Sequence, residues 1–282
     1  MSKKLRLLFS LFRIVIFVMG FFSVQACVSH LKEAKFFYAQ GEEFARAYQT
    51  QEAVASFKRA LQEAGRETES NPSAQAYMLK GLAQLNLEMW EEAKQSFLLA
   101  HSFGFDKGEE WASQLTLFGL ATTLQEMGLA EPAARVFKSL LDKSKFDPVT
   151  RLAAQSYMKL GLDKALQSER QEKEKQLRDL LKTADKLIVR NFSCGFCHYL
   201  QSQVFSHLSE FGHSFESAVI AKEIGLPTEQ IGRDNDNQIV FCYQKLKETL
   251  DSVQWSDFES LYQEWMARWG WEDPKRPPWK KR

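Results

Sequence analysis

The sequence predicts an all-α chain, a solenoid of helical hairpins followed by a small helical C-terminal domain. Three observations predict it. Only 14 Gly and 7 Pro occur in 282 residues, too few for a β-sandwich or a disordered scaffold. Ala, Leu, Glu, Gln and Lys, all good helix formers, fill long uninterrupted stretches. A pattern of small and aromatic residues also recurs every 40 residues through the first half of the chain. The charges nearly cancel, with 37 Lys+Arg against 36 Asp+Glu, so no global field points to nucleic acid.

Residues 1–26 have the layout of a signal peptide. Lys3, Lys4 and Arg6 make a basic start, and Ile14 to Val24 an apolar core too short for a comfortable membrane span. Val24-Gln25-Ala26-Cys27 resembles a bacterial lipobox, which implies cleavage before Cys27 and acylation, with palmitate among the acyl chains. Residues 27–33 would then be the lipid-anchored linker. An uncleaved anchor over Leu7–Ala26, carrying the costly Arg13, and cleavage without lipid are the alternatives. All three place the rest of the chain outside the cytoplasm, in a bacterial cell envelope, facing the periplasm or the surface.

The solenoid is expected over residues 34–190, as about four hairpins. The first unit contains Phe37, Gly41, Phe44, Ala53, Phe57 and Ala60, and the second Tyr77, Gly81, Ala93, Phe97 and Ala100. The third contains Leu117, Ala121, Leu124, Ala133, Phe137 and Leu140. Gly41, Gly81 and Ala121 are small where two helices of a hairpin must approach, and Phe57, Phe97 and Phe137 are large enough to fill the gap to the next hairpin. No single hairpin buries its apolar face alone, so stacking is required. The links at Glu67–Ser73 and Ser144–Pro148 read as turns. A fourth, degenerate unit follows. Its second helix is a long charged run with Leu177, Leu180, Leu181, Ala184, Leu187 and Ile188 at helical spacing, read as a solvated cap.

These units resemble tetratricopeptide repeats. The resemblance implies a curved groove that takes a protein or peptide partner, and so a protein-interaction scaffold rather than an enzyme. Gln40, Glu43, Arg46, Gln84, Thr122 and Gln125 interrupt the apolar pattern of the first helices and are the candidate groove contacts. Exported lipoproteins with such repeats help assemble pili, secretion machinery or outer-membrane proteins, which implies a role of that class.

Residues 191–273 are expected to form a helical domain rich in Cys and aromatics, where the repeat pattern fades. Leu200, Val204, Leu208 and Phe211 share one helical face, and Ile239, Cys242, Tyr243, Leu246 and Leu250 another. Ser256 and Glu259 stand in capping-box positions before Phe258, Leu261, Tyr262, Trp265 and Trp269. Leu226-Pro227-Thr228 and Gly232–Asn237 read as turns, with Asp234 and Asp236 as turn chemistry rather than a calcium loop.

Cys194-Gly195-Phe196-Cys197-His198 has the spacing of a c-type haem attachment site, with His198 as the iron ligand. Met266, His207 or His213 would supply a second ligand. Zinc would use Cys194, Cys197, Cys242 and one of the histidines. A disulfide, or plain structural cysteines, is the simplest reading and needs no cofactor. A haem-bearing electron carrier docked through its repeats is the rival function. A catalytic dithiol would be expected inside a thioredoxin-like strand–helix pattern, which is absent here. Neither paired carboxylates, a nucleophile elbow nor a phosphate loop points to an enzyme. Residues 274–282, a basic tail, read as solvated and solubilising, or as a contact for anionic headgroups or an acidic partner.

Overall fold

A computed structural model describes residues 30–143, 148–190 and 194–281. The signal peptide, Cys27 and most of the 144–148 link lie outside them. Among the described residues there are twelve α-helices and no strand beyond one isolated bridge pair, Asp273 with Arg276. In order they are α1 (His30–Arg46), α2 (Thr50–Ser70), α3 (Ala74–Asn86), α4 (Trp90–Phe103), α5 (Glu110–Glu126) and α6 (Ala130–Lys143). Then come α7 (Pro148–Gln167), α8 (Arg170–Arg190), α9 (Gly195–His207), α10 (Phe211–Ile224), α11 (Glu229–Thr249) and α12 (Ser252–Trp269), and a 3₁₀ turn at Pro278–Lys281. The chain divides into two compact units, at Tyr157 and Met158 within α7.

In the first unit α1–α2, α3–α4 and α5–α6 are antiparallel hairpins, and each packs on the next. A Cβ built on Gly41 would lie 2.7 Å from the Phe57 ring of the same hairpin, and one on Gly81 2.9 Å from the Phe97 ring. The Phe97 ring also reaches the next hairpin, where a Cβ on Gly119 would lie 2.4 Å from it. Phe57, Phe97 and Phe137 are all buried. The glycines therefore let each ring sit between helices, and the ring couples hairpins that could not bury their faces alone.

The turn inside each hairpin repeats in atomic detail. Tyr48, Glu88 and Gly128, 40 residues apart, have φ of 61°, 60° and 78°. The following amide donates to the carbonyl five residues back, as in Gln49 to Phe44, Met89 to Gln84 and Leu129 to Leu124, all at 2.9 Å. Only Gly128 is at ease in the left-handed region. Tyr48 and Glu88 each cost about 1 kcal/mol there, which the packing of the hairpin must exceed.

In the second unit the repeat continues past the point where its sequence pattern fades. Gly161 stands 40 residues after Ala121, and a Cβ on it would meet Leu180 of α8 at 2.5 Å. The α9–α10 turn at Ser209 has φ 62°, and Glu210 N donates to Phe205 O at 2.9 Å, the same turn as in the first unit. Ser217 Oγ donates to Gln201 Oε1 (2.9 Å), as Ser56 Oγ does to Gln40 Oε1 (3.3 Å). Tyr199 and Gln203 pair like Tyr38 and Glu42. The helical hairpin α9–α10 is thus a further unit of the series. Ser202 takes the small position, and Ala218 stands where the earlier units carry Phe57, Phe97 and Phe137.

The rest of this unit is an aromatic core on α10, α11 and α12. The Tyr243 ring stacks on Tyr262 at 4.5 Å, and Phe215 lies within 4.9–5.7 Å of Phe258, Trp265 and Tyr262. Two sequence expectations are corrected here, and a third in part. Gly232–Asn237 is not a turn but part of α11, because Asn235 Nδ2 donates to Ala218 O (2.9 Å) and Asp236 pairs with Lys222 (2.7 Å), tertiary bonds that outweigh local turn preference. Helix α12 starts earlier than Ser256, with Asp251 and Gln254 forming the capping box. The described part of the basic tail is docked through Trp279, whose Nε1 donates to Asp236 Oδ2 (3.0 Å), through Pro274 O, which accepts from Tyr262 Oη (3.0 Å), and through buried Pro277, while Lys275 and Arg276 stay exposed as a solvated tail would have them. Two smaller boundaries also move. Helix α2 runs on to Ser70, and α1 begins at His30, inside the expected linker.

Candidate functional site

Lys35, Tyr38, Glu42 and Arg46 are spaced three and four apart and so form one stripe along α1. The stripe faces α3. Lys35 Nζ donates to Gln75 Oε1 (2.8 Å), and Gln75 in turn donates to Glu109 just before α5. Asn86 Nδ2, at the far end of α3, donates to Tyr38 Oη (3.1 Å), and Tyr38 Oη donates to Glu42 Oε1 (3.0 Å). Arg46 Nε donates to Glu42 O at 3.2 Å. A polar ladder thus runs where the first helices of successive hairpins lie side by side. Lys35, Arg46, Gln75 and Asn86 remain partly exposed along it, whereas Tyr38 and Glu42 are buried.

The sequence-derived contacts distribute unevenly over this surface. Arg46 lies on the stripe. Glu43 is exposed and Gln125 partly so. Gln84 is buried, with Ser96 Oγ donating to its Oε1 (2.6 Å), and Gln40 is bonded to Ser56, so both clamp their own hairpins. Thr122 is buried, its hydroxyl donating to Phe118 O (3.0 Å). Lys35, Tyr38, Glu42, Gln75 and Asn86 were not singled out from sequence. The signal for two of them is the polar pair Lys35 and Gln75, in register one repeat apart.

Burial pushes the Glu42 carboxyl up to about 7, against the opposing pull of the Tyr38 hydroxyl, the Arg46 charge and Asn86. Burial likewise raises Tyr38, helped by Glu42. A carboxyl whose folded pKa lies above its unfolded value holds its proton more tightly in the fold. Its contribution is fully present below the unfolded value of 4.5 and is lost as pH rises through about 7. The expected loss for the α1–α6 unit is roughly 3 kcal/mol, at about 1.4 kcal/mol per pKa unit. Urea titrations at about pH 5 and about pH 8 should show it, and Glu42→Gln should flatten the difference. An unchanged pH dependence in Glu42→Gln would assign the effect to other groups.

Cys194 and Cys197 are joined as a disulfide, Cα to Cα 5.3 Å, at the start of α9. Cys194 is the N-cap, and its Sγ accepts the Cys197 amide at 3.1 Å. Gly195 packs under the end of α10 so closely that a Cβ would lie 2.1 Å from Gly225 O. A macrocycle attached to this buried pair would have to displace α10 on that side. Cys242 is a free, buried thiol, and burial raises its pKa. It donates to Ser214 Oγ (3.2 Å), which donates to Ser202 O (2.7 Å), about 12 Å of helix beyond Cys194. His213 is exposed beside Glu210, and His207 sits at the far end of α9. Together these residues do not form one tetrahedral zinc set, which needs all four ligands within about 2.3 Å of the metal. Met266 is buried in the aromatic core of α10–α12.

Among the described residues no helix is long and apolar enough to cross a membrane. No family model and no curated protein matches the chain. Several solved structures are similar to it at low identity, two of them as follows. One is YrrB, a TPR protein with an unusual peptide-binding site, at 16% identity, covering 72% of this chain and 92% of that one, TM-score 0.41. The other is PilF of Pseudomonas aeruginosa, at 11% identity, covering 82% of this chain and 98% of that one, TM-score 0.49.

Proposed function

We propose that this chain is an exported scaffold, held to a membrane by a lipid on Cys27, that binds a segment of a partner protein during assembly of a cell-envelope complex. The observation that carries the interaction part is the ladder on the first helices. Lys35, Arg46, Gln75 and Asn86 offer donors and acceptors at fixed spacing on a rigid stack. A partner segment meeting them would exchange bonds to water for bonds to preorganised groups, at little entropic cost to the scaffold. The basic, apolar and Cys layout before residue 30 supports the anchor.

Photo-cross-linking tests the interaction surface. A photoreactive residue replacing Gln75 should give a discrete adduct in cells, and one replacing Lys58, exposed on α2, should not. Charge reversal by Lys35→Glu with Arg46→Glu should weaken capture of the same partner by roughly ten-fold or more, the scale of losing two charge-assisted contacts. Equal adducts from both positions would rule the ladder out. Radiolabelled palmitate should enter the wild-type chain and not Cys27→Ser, and a wild-type chain that takes up no label would remove the anchor.

A further inference from the structure

We propose that the outer side of the first hairpin is a dimerisation face, on which α1 packs antiparallel against α1 of a second copy of this chain. The argument starts from the 40-residue register. Phe36, Ala39 and Glu43 correspond to Ala76, Leu79 and Ala83 on α3, and to Thr116, Gly119 and Thr123 on α5. The three on α3 are at most 1% exposed, and the three on α5 are buried. This is the side on which a hairpin meets the one before it. Helix α3 packs there on α2 and α5 on α4, and a Cβ on Gly119 would lie 2.4 Å from the Phe97 ring of α4. On α1 the same side is open. Phe36 is 62% exposed, Glu43 is exposed and Ala39 partly so. Among the described residues no helix precedes α1. With the signal peptide removed, as proposed above, residues 27–29 are too few to lay even one helical turn along this face. A large apolar ring thus stands where the stack would continue.

What fits this face is the face itself. Lys32, Phe36, Ala39 and Glu43 follow one another at steps of four, three and four, and so form one stripe. The stripe lies about 100° round α1 from the polar ladder, because Phe36, Ala39 and Glu43 each follow a ladder residue by one. Lys32 and Glu43, both exposed, stand about 16 Å apart along the helix, too far to pair within one α1. A two-fold axis passing between Phe37 and Tyr38 brings Phe36 level with Ala39 of the second copy, and Lys32 level with Glu43 of the second copy. The symmetry repeats both matches. A large side chain meets a small one and a cation meets an anion, each twice. A parallel pair would instead set Lys32 against Lys32 and Glu43 against Glu43, which repel. One helix face on another is a small interface, so the pair is expected to form at roughly micromolar concentrations and above.

A photoreactive phenylalanine analogue replacing Phe36 tests the pairing, in cells that carry the full chain in two differently tagged forms. Irradiation should give an adduct bearing both tags, and mass spectrometry should place the cross-link at or beside Ala39 of the second copy. Lys32→Glu alone and Glu43→Lys alone should each cut the yield roughly five-fold or more, since each sets like charges face to face at two places. The two exchanges together should restore it to near the wild-type level, a recovery that a folding defect in either variant would not allow. An adduct to a different protein, a cross-link to the chain's own first residues or no adduct at all would overturn the proposal. So would a double exchange that cross-links as poorly as the single ones. The ladder is read separately by the photoreactive residue at Gln75, so either reading can fail without the other.

Discussion

Phe97→Ala should destabilise the first unit by about 3–5 kcal/mol, the range for truncating a fully buried aromatic ring. Its side chain is 0% exposed and fills the space left by two glycines, Gly81 in its own hairpin and Gly119 in the next. Alanine would remove contacts to both at once. In a stack whose stability is the sum of units and their interfaces, the loss falls on the interface as well as on the unit. Urea unfolding followed by far-UV circular dichroism should therefore show a lower midpoint and a broader transition. Leu98→Ala, one residue on and 44% exposed, should change stability by less than about 0.5 kcal/mol. A Phe97→Ala chain within about 1 kcal/mol of wild type would mean that the ring does not couple the hairpins.

The hairpins were legible because their determinants are local and periodic. Gly41 with Phe57, and Gly81 with Phe97, are pairs of small and large residues at constant separation, and the structure brings each pair into contact. The α9–α10 unit was not legible, for a physical reason. The geometry there needs only that small and large side chains be complementary, so Ala218 can replace the phenylalanine while Ser202 replaces the glycine. What persists is backbone: the turn at Ser209 and the amide bond to Phe205. Neither leaves a residue signature, because the left-handed residue is Tyr, Glu, Gly and Ser in the four turns.

The candidate site was half legible. Polar residues interrupting an apolar helix mark a surface or a buried bond, and sequence does not separate the two. Gln84 and Gln40 proved to be clamps because Ser96 and Ser56 stand opposite them, a pairing set by the hairpin and not by either helix alone. Glu42 carried the reverse ambiguity. An acidic residue reads as solvated, yet it is 3% exposed beside Tyr38 and Asn86. The tail was legible in part: Lys275 and Arg276 are exposed, as basic residues suggest, while Trp279 binds Asp236, a residue 43 positions earlier.

Gly195→Ala should be the most damaging single-methyl change in the second unit. The new Cβ would lie 2.1 Å from Gly225 O and 2.8 Å from Ala221 O, both backbone atoms at the end of α10. At Gly41 or Gly81 the clash is with a ring that can tilt; here it is with a helix end, so α9 and α10 must separate. The expected cost is about 3 kcal/mol or more, typical of overpacking that moves backbone. Gly232→Ala serves as the opposite case. It lies inside α11 with nothing within 4 Å of its Cβ position, and should be neutral or stabilising by up to about 1 kcal/mol through helix propensity alone. Thermal unfolding of the two variants should shift in opposite directions or, for Gly232→Ala, not at all. If the two shift alike, α9 and α10 are not in the close contact that positions Cys194.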